Sequence, residues 1–496
     1  MKHFFATKSL DLLLEEMAGE HRLHRALGPV SLTALGIGTI IGAGIFVIVG
    51  TVAHDRTGPA IIVSLLVSGT ACIFAALCYA EFAAMAPVAG SAYTYAYATL
   101  GEVFAWIIGW DLILEYTVAS ASVAHGFSHY FQSFIGMGGL SIPEILSKAP
   151  LASDQATGHL SVTGTLVDLP ALCISLVLTV ILVLGIRESA RFNAVMVLVK
   201  LFVVLFVIVV GAFYINPENW KPFAPYGWTG LSFFGGALQW GVGSGGLPAG
   251  MLAGAGIMFF AYIGFDCVST QAEEARNPQR DVPIGIIASL LICTVLYIAV
   301  SLVLTGIVPY NQIDIDAPVA TAFKHIGLPW AQFIISIGAL AGLVSVQLGL
   351  MLGQPRILLA MSRDGLLPPR FFAAVHKTFR TPWKSTILTG ICVGVLSALI
   401  PLRLLLELVN IGTLLAFVIV CLAVLVMRYA NPTAHRPFRC PFVPVIPILG
   451  ALLCLMLMFS LPTANWWRLL VWLAIGFAIY LFYGRHHSVL ARLRAA

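Results

Sequence analysis

Charge is scarce in this chain of 496 residues: only 10% are Asp, Glu, Lys or Arg, whereas 59% are hydrophobic. Soluble domains carry about 25% charged residues, so a soluble fold could not cover this much apolar surface. The formal net charge of +5 is spread thinly over many loops, which argues against a nucleic-acid partner. The composition predicts an all-α polytopic membrane protein.

The chain also lacks the cysteine and histidine patterns of disulfide-rich or metal-binding proteins. Eight of its nine cysteines lie in apolar segments and Cys440 lies in a predicted loop. No CxxC, HExxH or Cys/His cluster occurs, so we expect no disulfide framework, no metal and no cofactor. A cleavable signal peptide is not expected, because 26 polar residues of mixed charge precede an apolar run too long for one.

Long apolar runs are abundant instead. A membrane helix needs about 20 mostly apolar residues, and the runs are too long for the strands of a β-barrel. The twelve predicted spans are 29–53, 59–86, 102–136, 168–187, 190–215, 250–272, 283–309, 328–361, 381–402, 404–429, 443–463 and 465–484.

The distribution of positive charge predicts the orientation. With a cytoplasmic N-terminus, 20 Lys and Arg residues lie on the cytoplasmic side and six on the outer side, as the positive-inside rule requires. We therefore expect both termini in the cytoplasm. The predicted segments are a cytoplasmic segment 1–28, spans 1–5 at 29–215, an outer loop 216–249, spans 6–10 at 250–429, spans 11–12 at 430–484, and a cytoplasmic tail 485–496.

A shift of about 220 residues superimposes spans 1–5 on spans 6–10, and Gly44 then falls on Gly264. Because span 1 starts inside and span 6 starts outside, this offset indicates a five-plus-five inverted repeat, as in secondary transporters. The alternative is that the chain has no repeat, because evenly spaced spans can be superimposed by some shift in any case. Glycines interrupt spans 1 and 6 near mid-membrane depth, however, where unwound backbone is tolerated when it lines a cavity. Close packing through small residues is the alternative, mainly for Gly36 and Gly38.

Paired helix breaks favour a zwitterionic ligand. Amides at the start of a second half-helix, here near 40–44, suit a carboxylate. Carbonyls at the end of a first half-helix, here near 260–263, suit an ammonium group. An α-amino acid carries both charges a few ångström apart, whereas a sugar has neither and an inorganic ion has one.

Several strings resemble the amino acid–polyamine–organocation superfamily, in particular bacterial members of the cationic amino acid transporter subfamily. They are GIGTIIGAGIF at 36–46, CYAEFAAMAPVAGSAYTYAY at 78–97, WDLILEY at 110–116, SARFNAVMVLVK at 189–200, FFAYIGFDCVST at 259–270, EEARNPQRDVPIGI at 273–286 and SRDGLLP at 362–368. The resemblance covers nearly the whole chain. It implies a leucine-transporter-type fold with broken helices 1 and 6, two added helices, and proton-linked amino-acid uptake across a bacterial inner membrane.

The resemblance also implies site residues. The substrate carboxylate would meet the backbone at Ile40, Ala43 and Gly44, and the amine would meet the carbonyls of Phe260, Ala261 and Ile263. The helix break itself adds Gly42 to the predicted site, because this glycine, like Gly44, weakens span 1 near mid-depth. Many relatives carry a hydroxyl residue where Ala43 stands, so only its backbone amide is available here. The glycine-rich segment 235–253 looks longer than in relatives, and its role is open.

Charged residues inside the membrane cost about 2.5–3.5 kcal/mol each on insertion scales, so each needs a reason. Lys200 lies near mid-depth of span 5, and burial disfavours the charged form of a lysine. Proton-coupled relatives carry a lysine here, so we expect Lys200 to couple transport to protons, the proton being the coupling ion. The alternatives are a structural lysine paired with a carboxylate, or snorkelling.

Four other charged residues are assigned by position. Glu115 and Asp111 lie on one face of span 3; the resemblance favours Glu115 as a polar neighbour of the substrate and a structural Asp111. Asp266 follows the span 6 break and is predicted to pin or release its inner half. Arg276, near a cytoplasmic end, is predicted to serve a gate or a loop salt bridge, and a solvated loop charge is the alternative.

Substrate class depends on span 8, where Leu350 matches a small polar residue of eukaryotic cationic relatives. Leucine narrows the cavity and offers no hydrogen bond, so we expect neutral, small or aliphatic L-amino acids to bind better than arginine. Uptake of cationic amino acids, amino-acid exchange and a transport-inactive sensor are the alternatives. A membrane enzyme would need a nucleophile–base pair or metal ligands at membrane depth, and none stands out. We expect a monomer, and a small single-span partner remains open.

Overall fold

The computed structural model describes residues 7–8, 27–88, 90–153, 160–184, 186–231, 249–379 and 381–490. Most of the segment 1–28, most of the glycine-rich segment 235–253 and the end of the tail 485–496 therefore lie outside the described residues. What we expect of those segments stays a prediction.

The described part is helical throughout its apolar runs. Its α-helices are α1 (Pro29–Ile40), α2 (Val49–Val52), α3 (Ile61–Met85), α4 (Ser91–Thr99), α5 (Glu102–Met137), α6 (Leu169–Leu184), α7 (Ile186–Ala212), α8 (Met251–Met258), α9 (Pro278–Ile307), α10 (Pro318–His325), α11 (Pro329–Arg363), α12 (Pro369–Phe372), α13 (Trp383–Leu399), α14 (Leu402–Ala430), α15 (Val445–Phe459), α16 (Thr463–Ile479) and α17 (Arg485–His487). A two-stranded antiparallel hairpin of β1 (Leu151–Ser153) and β2 (Leu160–Val162) lies between α5 and α6.

Shorter helical turns join these elements. The 3-10 turns are Gly58–Ala60, Glu144–Leu146, Pro217–Trp220, Phe259–Tyr262, Asp266–Glu274 and Tyr310–Gln312, and the π-helical turns are Gly44–Ile48, Ala53–Thr57 and Tyr480–Gly484.

Among the described residues, eight helical segments are long and apolar enough to cross a membrane, and four shorter apolar helices accompany them. The shorter ones are α1, α6, α13 and α15. The all-helical prediction is confirmed, because apolar runs in lipid must satisfy their backbone groups internally. The number of twelve spans and the inverted repeat stay predictions.

Short helical turns fill the interval between the first two predicted spans. A π-helical turn, Ala53–Thr57, is followed by Gly58 with φ of +61°. Thr57 (φ −125°) and Gly58 (ψ −147°) leave the helical region of backbone conformation, so the helical path is interrupted here. That the two segments cross the membrane separately stays a prediction.

The helix α7 shows how the sequence separates a lipid face from an internal face. Leu198, Phe202, Leu205 and Val209 recur at helical spacing and are all more than half exposed, as expected for side chains that contact lipid. Lys200 lies on another face and is completely buried. The helix therefore points its one mid-span charge into the protein.

Candidate functional site

The first predicted helix break lies between α1 and the turn Gly44–Ile48. Ile41 ends α1 in an extended backbone conformation, with φ of −74° and ψ of 103°, and its amide donates to the Ile37 carbonyl at 3.1 Å. The helix resumes at once, and the Phe46 amide donates to the Gly42 carbonyl at 3.1 Å. The first amides of a resumed helix have no acceptor within that helix.

The second break lies between the turns Phe259–Tyr262 and Asp266–Glu274. Ile263 is extended (ψ 136°) and Gly264 has φ of +114°, a conformation that L side chains rarely adopt. A Cβ on Gly264 would lie 2.7 Å from the Thr39 carbonyl oxygen. Glycine is therefore required here both by conformation and by the approach of α1.

The two breaks touch each other directly. A Cβ on Gly44 would lie 2.4 Å from Cα of Ala261, so the two backbones are in contact. The Thr39 hydroxyl donates to the Gly264 carbonyl at 2.8 Å. The Tyr297 hydroxyl lies 2.7 Å from the Ile40 carbonyl and 2.9 Å from the Ala261 carbonyl. Side chains therefore occupy some of the backbone acceptors that the breaks leave free.

A small enclosed cavity lies at this junction. We call it the central cavity; its lining residues are Ile40, Ala43, Gly44, Ala119, Val123, Phe260, Ile263, Val346 and Leu350. Its volume is about 10 Å³, which is about the space that one water molecule needs. Every lining side chain is apolar, so polar recognition in this cavity falls to the backbone.

Six of the nine residues predicted to contact substrate line the central cavity. Gly42, Ala261 and Glu115 do not line it. Gly42 faces α11, since a Cβ there would lie 2.6 Å from Val346. Ala261 accepts the Tyr297 hydroxyl. Glu115 lies one helical turn from the lining residue Ala119, and its role as a polar neighbour of the substrate stays a prediction.

Sequence reasoning missed Ala119, Val123 and Val346 as lining residues. Ala119 and Val123 are four apart on α5, and Val346 and Leu350 are four apart on α11, so each pair lies on one helix face. That spacing was available from the sequence. Which face turns toward the breaks depends on packing between distant helices.

Lys200 binds the backbone at the first break. Its ammonium group donates to the carbonyls of Gly38 (2.5 Å) and Ile41 (2.9 Å) and to the Ser345 hydroxyl (2.7 Å). These contacts use all three of its donors. The end of a helix carries partial negative charge, so the lysine lies where α1 attracts a cation. No carboxylate of the described residues pairs with Lys200, and its side chain is fully buried; its role in coupling stays a prediction.

Other predicted polar residues lie on the inner side of the breaks, "inner" meaning the side that the charge pattern assigns to the cytoplasm. The Tyr116 hydroxyl donates to the Asp266 carboxylate, which ties α5 to the half of span 6 beyond the break. Asp111 and Asp266 lie within electrostatic reach of Glu115. All three carboxyl groups are buried.

Ion pairs and backbone contacts join separate elements on the inner side of the molecule. The Arg356 guanidinium lies 2.8 Å from the Glu274 carboxylate, joining α11 to the end of the turn Asp266–Glu274. The Arg276 amide donates to the Leu27 carbonyl at 2.8 Å, and its side chain is exposed. These contacts hold the start of span 1 against the end of span 6.

The family model of the amino acid permeases matches residues 27–480. The chain belongs to the amino acid permease family. The resemblance seen in its motifs is thereby confirmed. Family membership and the apolar helices together make the protein an integral membrane permease, a transporter and not an enzyme.

Three relatives show how the permease compares with named proteins. It is 47% identical over 487 residues to the branched-chain amino acid permease BcaP of Bacillus subtilis (strain 168), with 98% of each chain covered. It is 45% identical over 490 residues to the methylthioribose transporter of the same strain, covering 99% of this chain and 100% of the relative. It is 34% identical over 587 residues to the vacuolar cationic amino acid transporter 4 of Arabidopsis thaliana, covering 95% and 94%.

Proposed function

We propose that this permease is a proton-coupled symporter that takes up neutral, small or aliphatic L-amino acids across a bacterial inner membrane. It works as a monomer by alternating access, with twelve spans, a five-plus-five inverted repeat and both termini in the cytoplasm. The observation that carries the proposal is the wholly apolar central cavity at the contact between two broken helices.

Helix packing supports the repeat. The repeat exchanges span 1 with 6, 2 with 7, 3 with 8 and 5 with 10. In the structure α1 (span 1) packs on α9 (span 7), and the counterpart of this contact is that of α8 (span 6) with α3 (span 2). Likewise α5 (span 3) packs on α14 (span 10), and the counterpart of this contact is that of α11 (span 8) with α7 (span 5). Each contact therefore has a counterpart under the exchange, as an inverted repeat requires.

Contacts of the chain ends support placing both termini on one side. The Lys8 ammonium lies 2.8 Å from the Asp364 carboxylate, and the Val489 amide donates to the Asp364 carbonyl at 3.0 Å. Residues near the two ends thus meet at one point after α11. An even number of spans places the two chain ends on the same side of the membrane.

The cavity chemistry supports an aliphatic amino acid as substrate. Amides at the start of the half-helix after Ile41 suit the carboxylate, and the carbonyls of Phe260 and Ile263 suit the ammonium group. The Phe260 carbonyl accepts the Ile263 amide but retains a second lone pair. The substrate side chain would then contact Ala119, Val123 and Leu350, which complement an aliphatic group and offer a guanidinium no acceptor.

The names of the relatives leave two other solutes to test. One relative is named for methylthioribose and another for cationic amino acids. A thiosugar carries hydroxyl groups but no charge, and the side chains lining the cavity supply no partner for hydroxyls. A cationic amino acid would need a buried acidic group beyond its α-carbon, and the predicted polar neighbour Glu115 does not line the cavity.

Lys200 supports proton coupling. Its charged form holds the carbonyls of Gly38 and Ile41 and thereby fixes the end of α1. A neutral lysine donates fewer and weaker hydrogen bonds than an ammonium group. We infer that loss of the proton loosens α1 and allows its inner side to move, which links proton release to substrate release.

Alternating access follows from the small volume of the central cavity. A space of about 10 Å³ cannot hold an amino acid, so the lining helices must separate when a substrate binds. The Arg356–Glu274 pair closes the inner side in this conformation and must break when that side opens.

Uptake into proteoliposomes tests the proposal. Radiolabelled leucine, alanine, arginine and methylthioribose are each offered with and without an inward pH gradient, and with and without sodium. We expect the gradient to drive accumulation of leucine and alanine well above that of arginine and methylthioribose. Sodium-dependent uptake, leucine–leucine exchange without net accumulation, or preferred uptake of arginine or methylthioribose would each contradict it.

A further inference from the structure

A groove of about 630 Å³ runs along the inner end of α9. We call it the inner groove; α9 lines it from Gln279 to Leu291, and Pro437 and Phe438, in the segment that leads to α15, form its other wall. Pockets that bind drug-sized molecules measure about 300–1,000 Å³, so the groove has room for a ligand of that size. Its described lining residues do not overlap with those of the central cavity.

The α9 wall of the groove is a single helix face that is open to lipid. Arg280, Ile284, Ile287 and Leu291 recur at intervals of three and four residues, so they lie on one face of α9. Ile284 is 39% and Leu291 46% exposed, and α9 is one of the helices that are long and apolar enough to cross a membrane. Exposed aliphatic side chains on such a helix contact lipid. The inner groove therefore opens toward the bilayer.

The two ends of the groove differ in polarity. Gln279 and Arg280 lie at its inner end and are exposed, and Arg280 is three residues before the predicted span 283–309. From Arg280 to Leu291 the helix rises about 16 Å at 1.5 Å per residue, and one leaflet of a bilayer has a hydrocarbon layer of about 15 Å. The groove thus matches a lipid in one leaflet, with its head group at the polar end and an acyl chain along the aliphatic side chains.

The positive charge at the polar end is not neutralised by the protein. Arg280 forms no ion pair with any described residue, and the acidic residues near it in the chain have other partners. Asp281 is 3% exposed, and its carboxylate accepts the Asn277 amide at 3.1 Å. Glu274 pairs with Arg356 at 2.8 Å. The exposed guanidinium of Arg280 therefore attracts a negatively charged group from outside the protein.

Other features of this end add positive potential and a hydrogen-bond acceptor. Arg439 follows the lining residue Phe438 directly and is also exposed. The N-terminus of α9 carries partial positive charge. Pro283 lies inside α9 and has no amide, so the Gln279 carbonyl lacks the donor that a helix normally supplies four residues ahead. The polar end therefore offers cationic partners to a phosphate and an acceptor to a head-group hydroxyl.

We propose that the inner groove binds one molecule of an anionic phospholipid. Its phosphate binds at Arg280, and one acyl chain lies along Ile284, Ile287 and Leu291, against Phe438. A zwitterionic phospholipid adds an ammonium group that this basic end repels, so the site selects a net negative charge. The inference does not depend on which solute the permease transports.

The lipid would contact a helix on which both broken spans rest. The helix α1, which is the first half of span 1, packs on α9, and so does the turn Asp266–Glu274, which follows the break in span 6. A ligand that binds only the folded state stabilises that state. We therefore expect the bound lipid to raise the unfolding temperature of the permease.

Native mass spectrometry of the delipidated full chain in detergent tests the lipid site. The chain is titrated with dioleoylphosphatidylglycerol, which is anionic, or with dioleoylphosphatidylcholine, which has the same acyl chains and a zwitterionic head group. We expect the first phosphatidylglycerol molecule to bind at least about tenfold more tightly than the first phosphatidylcholine molecule, as one charge-assisted hydrogen bond predicts. Phosphatidylglycerol should also raise the unfolding temperature more than phosphatidylcholine.

Arg280→Gln tests recognition of the head group. We expect its affinity for phosphatidylglycerol to fall about tenfold, to that for phosphatidylcholine, and the difference between the two lipids in unfolding temperature to disappear. Arg370→Gln is the matched control, because Arg370 is an exposed arginine of the inner side that does not line the groove. It should bind both lipids like the parent.

Ile284→Trp tests the acyl-chain part of the groove. The larger side chain fills the space next to α9, so the affinities for both lipids should fall by the same factor. Ile292→Trp is its matched control, since Ile292 lies on the same helix and is 41% exposed but does not line the groove. It should retain both affinities. Size-exclusion profiles of all four variants check the fold.

Three results would overturn the lipid site. They are equal affinity of the parent for the two lipids, parental affinity for phosphatidylglycerol in folded Arg280→Gln or Ile284→Trp, and a dimer of the parent that Ile284→Trp dissociates, which would assign the groove to a second copy of the chain. Leucine binding should be the same in the parent and in Arg280→Gln. Failure of the lipid proposal therefore leaves the proposed function standing.

Discussion

Lys200 shows at the residue scale how a buried charge is accommodated without a counter-ion. Its ammonium group is fully buried, and its partners are two backbone carbonyls and one hydroxyl. The carbonyls are available because α1 ends at Ile40 in the middle of the molecule. The lysine thus depends on the helix break, and the end of α1 depends on the lysine.

Replacing this lysine should uncouple transport from protons. In Lys200→Met the side chain keeps its approximate length but loses its donors, so accumulation of leucine driven by a pH gradient should fall at least about tenfold. The Gly38 carbonyl keeps the Ser345 hydroxyl as a donor, whereas the Ile41 carbonyl loses the ammonium group. A carbonyl left without a donor costs about 1–3 kcal/mol, so thermal stability should fall as well. Gradient-driven uptake and the unfolding temperature are the measurements.

Leu198→Met is the matched control for that experiment, because Leu198 lies on the same helix but is 69% exposed. It should transport like the parent. Undiminished accumulation by a folded Lys200→Met variant would show that the coupling group lies elsewhere.

Leu350 is the residue for which a change in specificity is expected. It is 1% exposed and lines the central cavity. Leu350→Ser removes aliphatic volume and adds a hydroxyl, so competition binding should show arginine gaining about tenfold relative to alanine. The matched control is Leu348→Ser, which is equally buried on α11 but does not line the cavity. An unchanged ratio in Leu350→Ser would show that this position does not select the side chain.

At the scale of elements, the functional geometry comes from two helices that are interrupted where they touch. The apolar sequence keeps both segments in the membrane, and Gly44 and Gly264 allow the contact, the first through close approach and the second through its positive φ. The break in α1 also creates the carbonyls that Lys200 and Tyr297 bind.

A methyl group at the contact between the two breaks should abolish binding. In Gly44→Ala the new Cβ would lie 2.4 Å from Cα of Ala261, so the half-helices must move apart and the amides change direction. We expect leucine affinity to fall at least about tenfold, measured by dialysis. Gly136→Ala on α5 is the control, since nothing lies within 4 Å of its Cβ. Parental affinity in Gly44→Ala would place the substrate elsewhere.

At the scale of the whole molecule, ion pairs on the inner side connect helices that are far apart in sequence. Glu81 at the inner end of α3 receives two hydrogen bonds from Arg428, at 2.8 and 2.7 Å, and one from the Cys440 amide at 2.7 Å. Arg436 lies 3.3 Å away. Glu81 is 1% exposed, so this cluster joins α3, α14 and the segment that leads to α15.

Removing the carboxylate of this cluster should lower the stability of the fold more than it weakens substrate binding. Breaking a buried ion pair by removing one partner costs about 3–5 kcal/mol, so Glu81→Gln should lower the free energy of unfolding by about 3 kcal/mol, measured in detergent. Glu218→Gln is the control; its pair with Lys221 is 71% exposed on both sides and should change stability by less than about 0.5 kcal/mol. Equal effects of the two substitutions would contradict the structural role of Glu81.

The sequence alone determined the class of protein, the positions of the apolar helices and the two places where helices break. These features depend on local properties: hydropathy over about 20 residues reports a helix in lipid, and clustered glycines report a weak helix. The sequence also identified Lys200 as a buried charge and six of the residues that line the central cavity.

Only the tertiary structure decided which groups meet. Ala119, Val123 and Val346 line the cavity because α5 and α11 turn one particular face toward the breaks. Lys200 binds carbonyls about 160 residues away, and a cavity lined by Ile48, Ile257 and Leu406 brings together the half-helix after Gly44, α8 and α14. Helical periodicity indicates which residues share a face, but the neighbour of that face depends on how all the helices pack, which local sequence does not encode.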